Sequence, residues 1–136
     1  MSRRSTFAEQ LEQHGFCSYY TVGTSMLPLL RPRKDLVHLK KPSGRLKKYD
    51  VALFQRKNGQ YVLHRVVKVG EQEYVFLGDN QILREPGIRD SQILGVMDGF
   101  TRNGIYRSVR EPGYRIYVHV WKWLYPLRYI WRKIRS

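Results

Sequence analysis

The chain has 136 residues, which is room for one domain built around a single hydrophobic core. Its 25 Lys and Arg residues against 11 Asp and Glu residues give a formal net charge of +14, while a hydrophobic content of 42% excludes a disordered basic tail. The single cysteine, Cys17, excludes an internal disulfide framework and a zinc site built on cysteine pairs.

No ordinary membrane-spanning or secretory segment is expected. The longest apolar run, residues 116–127, is interrupted by His119 and Lys122 and is shorter than the ~20 residues that a transmembrane helix needs. The N-terminal residues lack the apolar centre of a secretory signal. We therefore expect the protein in the cytoplasm, either free or peripheral at the inner face of the membrane.

The first predicted element is a short amphipathic helix over residues 6–14. Apolar side chains fall on one side of it and Glu and Gln mostly on the other. Ser5 or Thr6 is the expected N-cap, and Gly15 is the expected C-terminal stop.

From Phe16 onward the pattern changes to short runs of β-branched and aromatic residues separated by turn formers. Among the separators, Asn58-Gly59 is a strong signal for a two-residue hairpin. Short strands at near-regular spacing predict a mainly β fold, an antiparallel and partly coiled sheet or barrel. The predicted strands cover residues 16–22, 35–40, 49–55, 61–69, 74–77 and 93–100.

Residues 114–136 form a basic aromatic segment that differs from the predicted β domain of residues 1–113. It contains all three tryptophans and six Lys and Arg residues with no acidic residue, and Pro126 is expected to kink or split any helix within it.

Two compatible interpretations of this segment remain open. Trp and Tyr favour the lipid interface and Lys and Arg favour anionic lipids, so the segment suits a membrane surface. The alternative is a helix that packs its aromatic face on the domain and shows a basic face to water. Nucleic acid is not an expected partner, because no nucleic-acid motif accompanies the aromatic and basic residues. The expected membrane or partner contacts are Trp121, Lys122, Trp123, Arg128, Trp131 and Arg132.

Ser25 is the candidate nucleophile. It lies in Gly23-Thr24-Ser25-Met26-Leu27-Pro28, directly after a predicted strand, where small residues allow a sharp turn. Such a turn can direct main-chain N–H groups at a developing oxyanion, and we expect Thr24 and Met26 to serve as oxyanion or positioning residues. The pattern by itself is more often an ordinary turn, so a base within hydrogen-bond reach is required.

His64 is the candidate base. Strand alternation would place Val62, His64 and Val66 on the same face, although a lone histidine on an apolar face is usually a core residue. Two carboxylates follow, Asp79 in Gly78-Asp79-Asn80 and then Asp90. They either belong to a salt-bridged loop or supply the acid that orients a histidine.

Three motifs in this order resemble those of the signal peptidase I family, within the group of serine peptidases that includes LexA-like self-cleaving repressors. The resemblance covers residues 21–96 and is more specific than any single motif. The matching segments are Gly23 with Ser25-Met26-Leu27-Pro28 for the family's Gly-x-Ser-Met-x-Pro, Tyr49-Asp50-Val51-Ala52-Leu53-Phe54 for Gly-Asp-Ile-Val-x-Phe, and Gly78-Asp79-Asn80 with Asp90-Ser91 and Gly95 for Gly-Asp-Asn…Asp-Ser-Arg…Gly.

The resemblance implies the β fold of signal peptidase and of the LexA C-terminal domain, and a serine endopeptidase that needs no metal or cofactor. Bacterial members with a Ser-Lys dyad have Lys-Arg-Val where this chain has His64-Arg65-Val66, the pattern of the endoplasmic-reticulum and archaeal branch. By this resemblance Ser25 attacks a peptide carbonyl, His64 takes its proton, Asp90 holds the imidazole and Asp79 supports the site.

The implied substrate is a leader or signal-like peptide in extended form, with small side chains near the scissile bond, cleaved at or near a membrane surface. An alternative from a different class is a non-catalytic basic β module that binds membrane or an acidic partner. A pure binding module would have no physical need to keep Ser25, His64 and an acid together.

Overall fold

A computed structural model describes residues 6–135 and begins with the expected helix, α1, over Phe7–His14. Thr6 is its N-cap, and the Thr6 hydroxyl accepts a hydrogen bond from the Glu9 N–H at 3.1 Å. The other predicted cap, Ser5, lies outside the described residues. Gly15 ends the helix at φ 77°, a left-handed conformation that glycine adopts without strain.

Within residues 6–135, eight strands form one antiparallel sheet, which confirms the predicted mainly β class. The sheet is open rather than a closed barrel, with order β1-β2-β7-β3-β4-β5-β6 and with β8 paired to β7. Bulges interrupt four of the ladders and increase the local twist of the sheet. The strands are β1 Phe16–Tyr20, β2 Leu36–Lys40, β3 Val51–Gln55, β4 Tyr61–Val69, β5 Tyr74–Leu77, β6 Glu85–Ile88, β7 Ile93–Arg102 and β8 Ile105–Ser108.

Two of these strands, β6 and β8, were not predicted. β6 contains Pro86 and Gly87, which normally mark turns, but it lies at the edge of the sheet and a bulge interrupts its ladder with β5, and proline is tolerated at both kinds of position. β8 follows Asn103 and Gly104, both at positive φ, a turn that pairs β8 with β7.

The core is divided into two clusters on opposite faces of the sheet. The apolar run of β3 alternates between them, with Val51 and Leu53 in one and Ala52 and Phe54 in the other. This run is therefore buried on both faces, which explains why it is uninterrupted by polar residues. Val62 and Val66 of β4 lie in the second cluster, as the predicted alternation requires.

The C-terminal helix, α2, spans Pro112–Arg135 and is continuous through Pro126. The expected split at Pro126 does not occur, because hydrogen bonds fix the helix to the domain on both sides of the proline. Tyr125 donates to the Ile82 carbonyl at 3.0 Å, and Arg132 donates to the Asn80 carbonyl at 2.6 Å. Across the described residues, no helix combines the length and the apolar character needed to cross a membrane.

Candidate active site

Ser25 and His64 lie together although 39 residues separate them in the sequence. The His64 Nε2 atom is 3.1 Å from the Ser25 Oγ atom. His64 is buried in β4, with 5% of its surface exposed, and its ring lies 6.3 Å from that of Phe54 between centroids. Ser25 is partly buried and lines a groove that His64 also lines.

The segment around Ser25 is held by its own turns and by buried apolar anchors. The Leu27 N–H donates to the Thr24 carbonyl at 3.2 Å and the Leu30 N–H to the Met26 carbonyl at 3.0 Å. Met26 and Leu30 are buried in the first core cluster, and the Leu27–Pro28 peptide bond is cis. Thr24 is exposed beside the nucleophile. The predicted positioning residues therefore both lie at Ser25, one in solvent and one in the core.

The Gly78-Asp79-Asn80 loop supports the main chain of the nucleophile. The Asn80 N–H donates to the Ser25 carbonyl at 2.8 Å, and the Asn80 side-chain amide donates to the Thr24 carbonyl at 3.2 Å. A Cβ atom on Gly78 would lie 2.7 Å from the Ser25 carbonyl oxygen. Glycine is therefore required at position 78 so that the two backbones can approach each other.

Asp79 is bound to Arg65 and not to His64. The carboxylate receives two hydrogen bonds from the Arg65 guanidinium, at 2.8 and 2.9 Å, and both side chains are completely buried. The Tyr117 hydroxyl donates to the same carboxylate at 2.7 Å, and the Trp121 indole donates to the Asp79 carbonyl at 3.0 Å. Burial would lower the pKa of Arg65, but Asp79 raises it well above the usual range.

Asp90 does not reach His64. One carboxylate oxygen accepts a hydrogen bond from the Tyr74 hydroxyl, and the other lies 3.3 Å from the Arg45 Nε atom. The Asp90 side chain is 56% exposed. The predicted role of Asp90 as the acid that holds the imidazole has no support in these contacts, because its partners are Tyr74 and Arg45.

Burial is the main influence on the protonation state of His64. Its Nδ1 atom is buried and has no hydrogen-bond partner among residues 6–135. Burial lowers the pKa of His64 to about 4, although the Glu85 carboxylate acts to raise it. The imidazole is therefore neutral at neutral pH and has a lone pair with which to accept a proton.

An ion pair beside His64 was missed by the sequence analysis. The Arg56 guanidinium binds Glu85 with two hydrogen bonds, at 2.8 and 2.7 Å, and both side chains line a hollow that His64 also lines. Glu85 belongs to the unpredicted edge strand β6, where Glu85-Pro86-Gly87 has the composition of a turn. Had the sequence been interpreted as a strand at β6, Glu85 could have been predicted near the site.

Two hollows meet at His64, and Ser25 lines the first of them. The first, of about 390 Å³, is lined among others by Thr21, Gly23, Ser25 and His64. The second, of about 520 Å³, is lined among others by His64, Leu83 and Glu85. The first hollow therefore borders both members of the pair, and the second borders His64.

The residues expected to contact a membrane or partner divide between two faces of α2. Trp121 is buried, Arg128 lies over the Trp121 ring, and Arg132 donates to the Asn80 carbonyl, so these three contact the domain. Lys122, Trp123 and Trp131 are exposed. The interpretation in which an aromatic face packs on the domain is thus correct for the inner face of the helix.

In comparisons with known proteins, no family model matches this chain and no curated protein matches it.

Proposed function

We propose that the protein is a serine endopeptidase of the signal peptidase type, with Ser25 as nucleophile and His64 as general base. The observation that carries the proposal is the 3.1 Å separation of Ser25 Oγ and His64 Nε2, which is the reach that proton transfer needs. The order of the three signal-peptidase-like motifs supports the same assignment.

In the first step the Ser25 Oγ atom attacks the carbonyl carbon of the substrate while His64 Nε2 takes the hydroxyl proton. The carbonyl electron pair moves to the oxygen, and the N–H groups of the turn around Thr24 and Met26 are its expected donors. A missing oxyanion donor typically costs about 10² to 10³ in rate. The intermediate then collapses, the C–N bond breaks, and the imidazolium protonates the leaving amine. A water that gives its proton to His64 attacks the acyl-enzyme, the bond to Ser25 Oγ breaks, and His64 returns the proton to that oxygen.

The pair would act without a carboxylate bonded to the imidazole. Charge on the imidazolium is opposed by burial and by the Arg56 guanidinium, which lower the pKa of His64, and is favoured by Glu85 and Asp79, which act to raise it. Asp79 is a positioning residue in this mechanism, because it fixes the loop that hydrogen-bonds to the Ser25 main chain. The Arg65–Asp79 pair thereby links the strand that carries the base to the loop that holds the nucleophile.

The substrate is an extended leader or signal-like peptide with small side chains near the scissile bond, as the resemblance implies. The hollow that borders both Ser25 and His64 suits a chain bound against the pair, and the second hollow, which borders His64, offers it further room. Chemistry by these residues requires no metal or cofactor.

The test is cleavage of a diverse peptide library, analysed by mass spectrometry. We expect cleavage by the native chain, a loss of at least about 10³ in Ser25→Ala, and full activity in the control Ser43→Ala, which changes an exposed serine outside the three motifs. Equal cleavage by Ser25→Ala would contradict the assignment of the nucleophile. Absence of cleavage by the native chain would favour the alternative, a non-catalytic basic β module that binds membrane or an acidic partner.

A further inference from the structure

A band of apolar side chains runs along the outer face of α2, here called the outer stripe. Its members are spaced alternately four and three residues apart, which places them on one side of a helix. All are at least 49% exposed, and Trp123 is 77% exposed. The outer stripe consists of Ile116, Val120, Trp123, Leu127, Ile130 and Ile134.

The inner face of α2 is already occupied. Tyr117, Trp121 and Tyr125 donate hydrogen bonds to Asp79 and to the Ile82 carbonyl. Helical spacing places Trp121 and Tyr125 on the opposite side of the helix from the outer stripe and Tyr117 between the two faces. An apolar band of this length on a helix that is docked through its other face is larger than scattered surface residues would give, and it marks an interaction surface.

Positive charge flanks the outer stripe. Helical spacing places Arg115 and Lys122 along one side of it, where they line, with Lys48 and His119, a hollow of about 280 Å³. Lys48 and Lys122 both lie 5.2 Å from the centroid of the Tyr49 ring. Among residues 6–135, Asp50 is the only carboxylate that lines this hollow, and it accepts a hydrogen bond from the Lys47 N–H at 2.8 Å. Cations therefore gather beside the apolar band.

We propose that the outer stripe docks on the surface of an anionic lipid bilayer, with α2 lying in the plane of the interface. Apolar side chains in a band, an exposed tryptophan and flanking Lys and Arg residues are what such a helix requires. A second copy of the chain fits less well, because α2 has six Lys and Arg residues and no acidic residue, so two stripes face to face would bring like charges together.

The proposal fixes the geometry of the active site relative to the bilayer and does not depend on the Ser25–His64 chemistry. From Ile116 to Ile134 the stripe is about 27 Å long, at about 1.5 Å per residue. The inner face of the same helix hydrogen-bonds to the loop that supports Ser25. Docking through the stripe would therefore hold the groove beside the membrane surface, on the protein side of α2.

The test is binding of the full chain to vesicles of phosphatidylcholine with and without phosphatidylglycerol, measured by flotation. We expect at least tenfold tighter binding to the vesicles with phosphatidylglycerol and weaker binding at high salt. The triple variant Trp123→Ser/Leu127→Ser/Ile130→Ser should bind these vesicles at least tenfold more weakly. Ile105→Ser, which removes a 54% exposed isoleucine from β8, should bind like the native chain.

A second variant and a second measurement separate docking from folding. Arg115→Gln/Lys122→Gln leaves the stripe intact and should lower the preference for phosphatidylglycerol about tenfold, with an unchanged thermal unfolding temperature. Brominated lipids should quench the tryptophan fluorescence of the native chain, and less in Trp123→Phe. Equal binding of the triple variant and the native chain to vesicles would overturn the proposal. So would a dimer, detected by light scattering, that the triple variant abolishes while the native chain ignores vesicles.

Discussion

The burial of His64 predicts a pH dependence of stability that can be measured without a substrate. Burial lowers the pKa of His64 from 6.5 to about 4, so between these values the unfolded chain binds a proton that the folded chain does not. The free energy of unfolding therefore falls as the pH is lowered through this window. At about 1.4 kcal/mol per tenfold difference in proton affinity, the loss is about 3 kcal/mol.

The assay is urea unfolding of the native chain and of His64→Gln, each at neutral pH and near pH 4. Other titrating groups are common to both proteins, so the difference between the two pH dependences isolates His64. The native chain should lose about 3 kcal/mol more than His64→Gln on acidification. Parallel losses would refute the inference that this imidazole is held neutral by burial.

Three further predictions concern the support of the site. Gly78→Ala should lower the stability by about 1 to 3 kcal/mol in thermal unfolding and impair Ser25, because the new Cβ atom would meet the Ser25 carbonyl oxygen at 2.7 Å. Gly23→Ala has open space and should be nearly neutral, so equal effects of the two substitutions would contradict the close approach at Gly78. Asp79→Asn should cost about 3 to 5 kcal/mol in urea unfolding, because it leaves the Arg65 charge buried without its partner. Asp90→Asn, at an exposed pair, should cost about 1 kcal/mol or less. A larger loss of stability in Asp90→Asn than in Asp79→Asn would show that Asp90 is the structural acid. Trp121→Phe removes the hydrogen bond to the Asp79 carbonyl and should cost about 1 kcal/mol of stability. Trp123→Phe, on the outer stripe, should leave the unfolding midpoint unchanged, and a comparable loss of stability in this variant would place the Trp123 ring in the core.

Local patterns were sufficient to predict α1 and most of the strands. The helix has its own caps, and the strands have their own alternation, so neighbours in the sequence determine them. The pairing of Ser25 with His64 is not local, and it was predicted only because the order of three motifs resembled a known family.

The choice of acid could not be predicted from spacing. His64 and Arg65 are adjacent on β4, so strand alternation sends them to opposite faces of the sheet. A carboxylate that meets Arg65 is then separated from His64 by the strand itself, and this is where Asp79 lies. Which carboxylate meets which face of the sheet depends on the path of the loop after β5, and the residues of that loop give no local signal that predicts this path.

The orientation of α2 depended on tertiary contacts in the same way. Two stripes are visible in its sequence, one with Tyr117, Trp121 and Tyr125, the other aliphatic with Trp123. The first docks because its hydroxyls and its indole N–H meet a carboxylate and two carbonyl groups of the loop. Those contacts also keep the helix continuous through Pro126, although proline disfavours the interior of a helix.

We infer that His64 activates Ser25, and reaction with a fluorophosphonate tests this claim most directly. In this reaction the Ser25 oxygen displaces fluoride from phosphorus, and intact-mass analysis with peptide mapping locates the adduct. We expect one adduct, at Ser25, formed at least about 10² more slowly in His64→Gln and at an unchanged rate in Asp90→Asn. Because the pKa of His64 is about 4, the native rate should persist well below pH 6.5. An adduct at another residue, or equal rates in the native chain and His64→Gln, would contradict the claim.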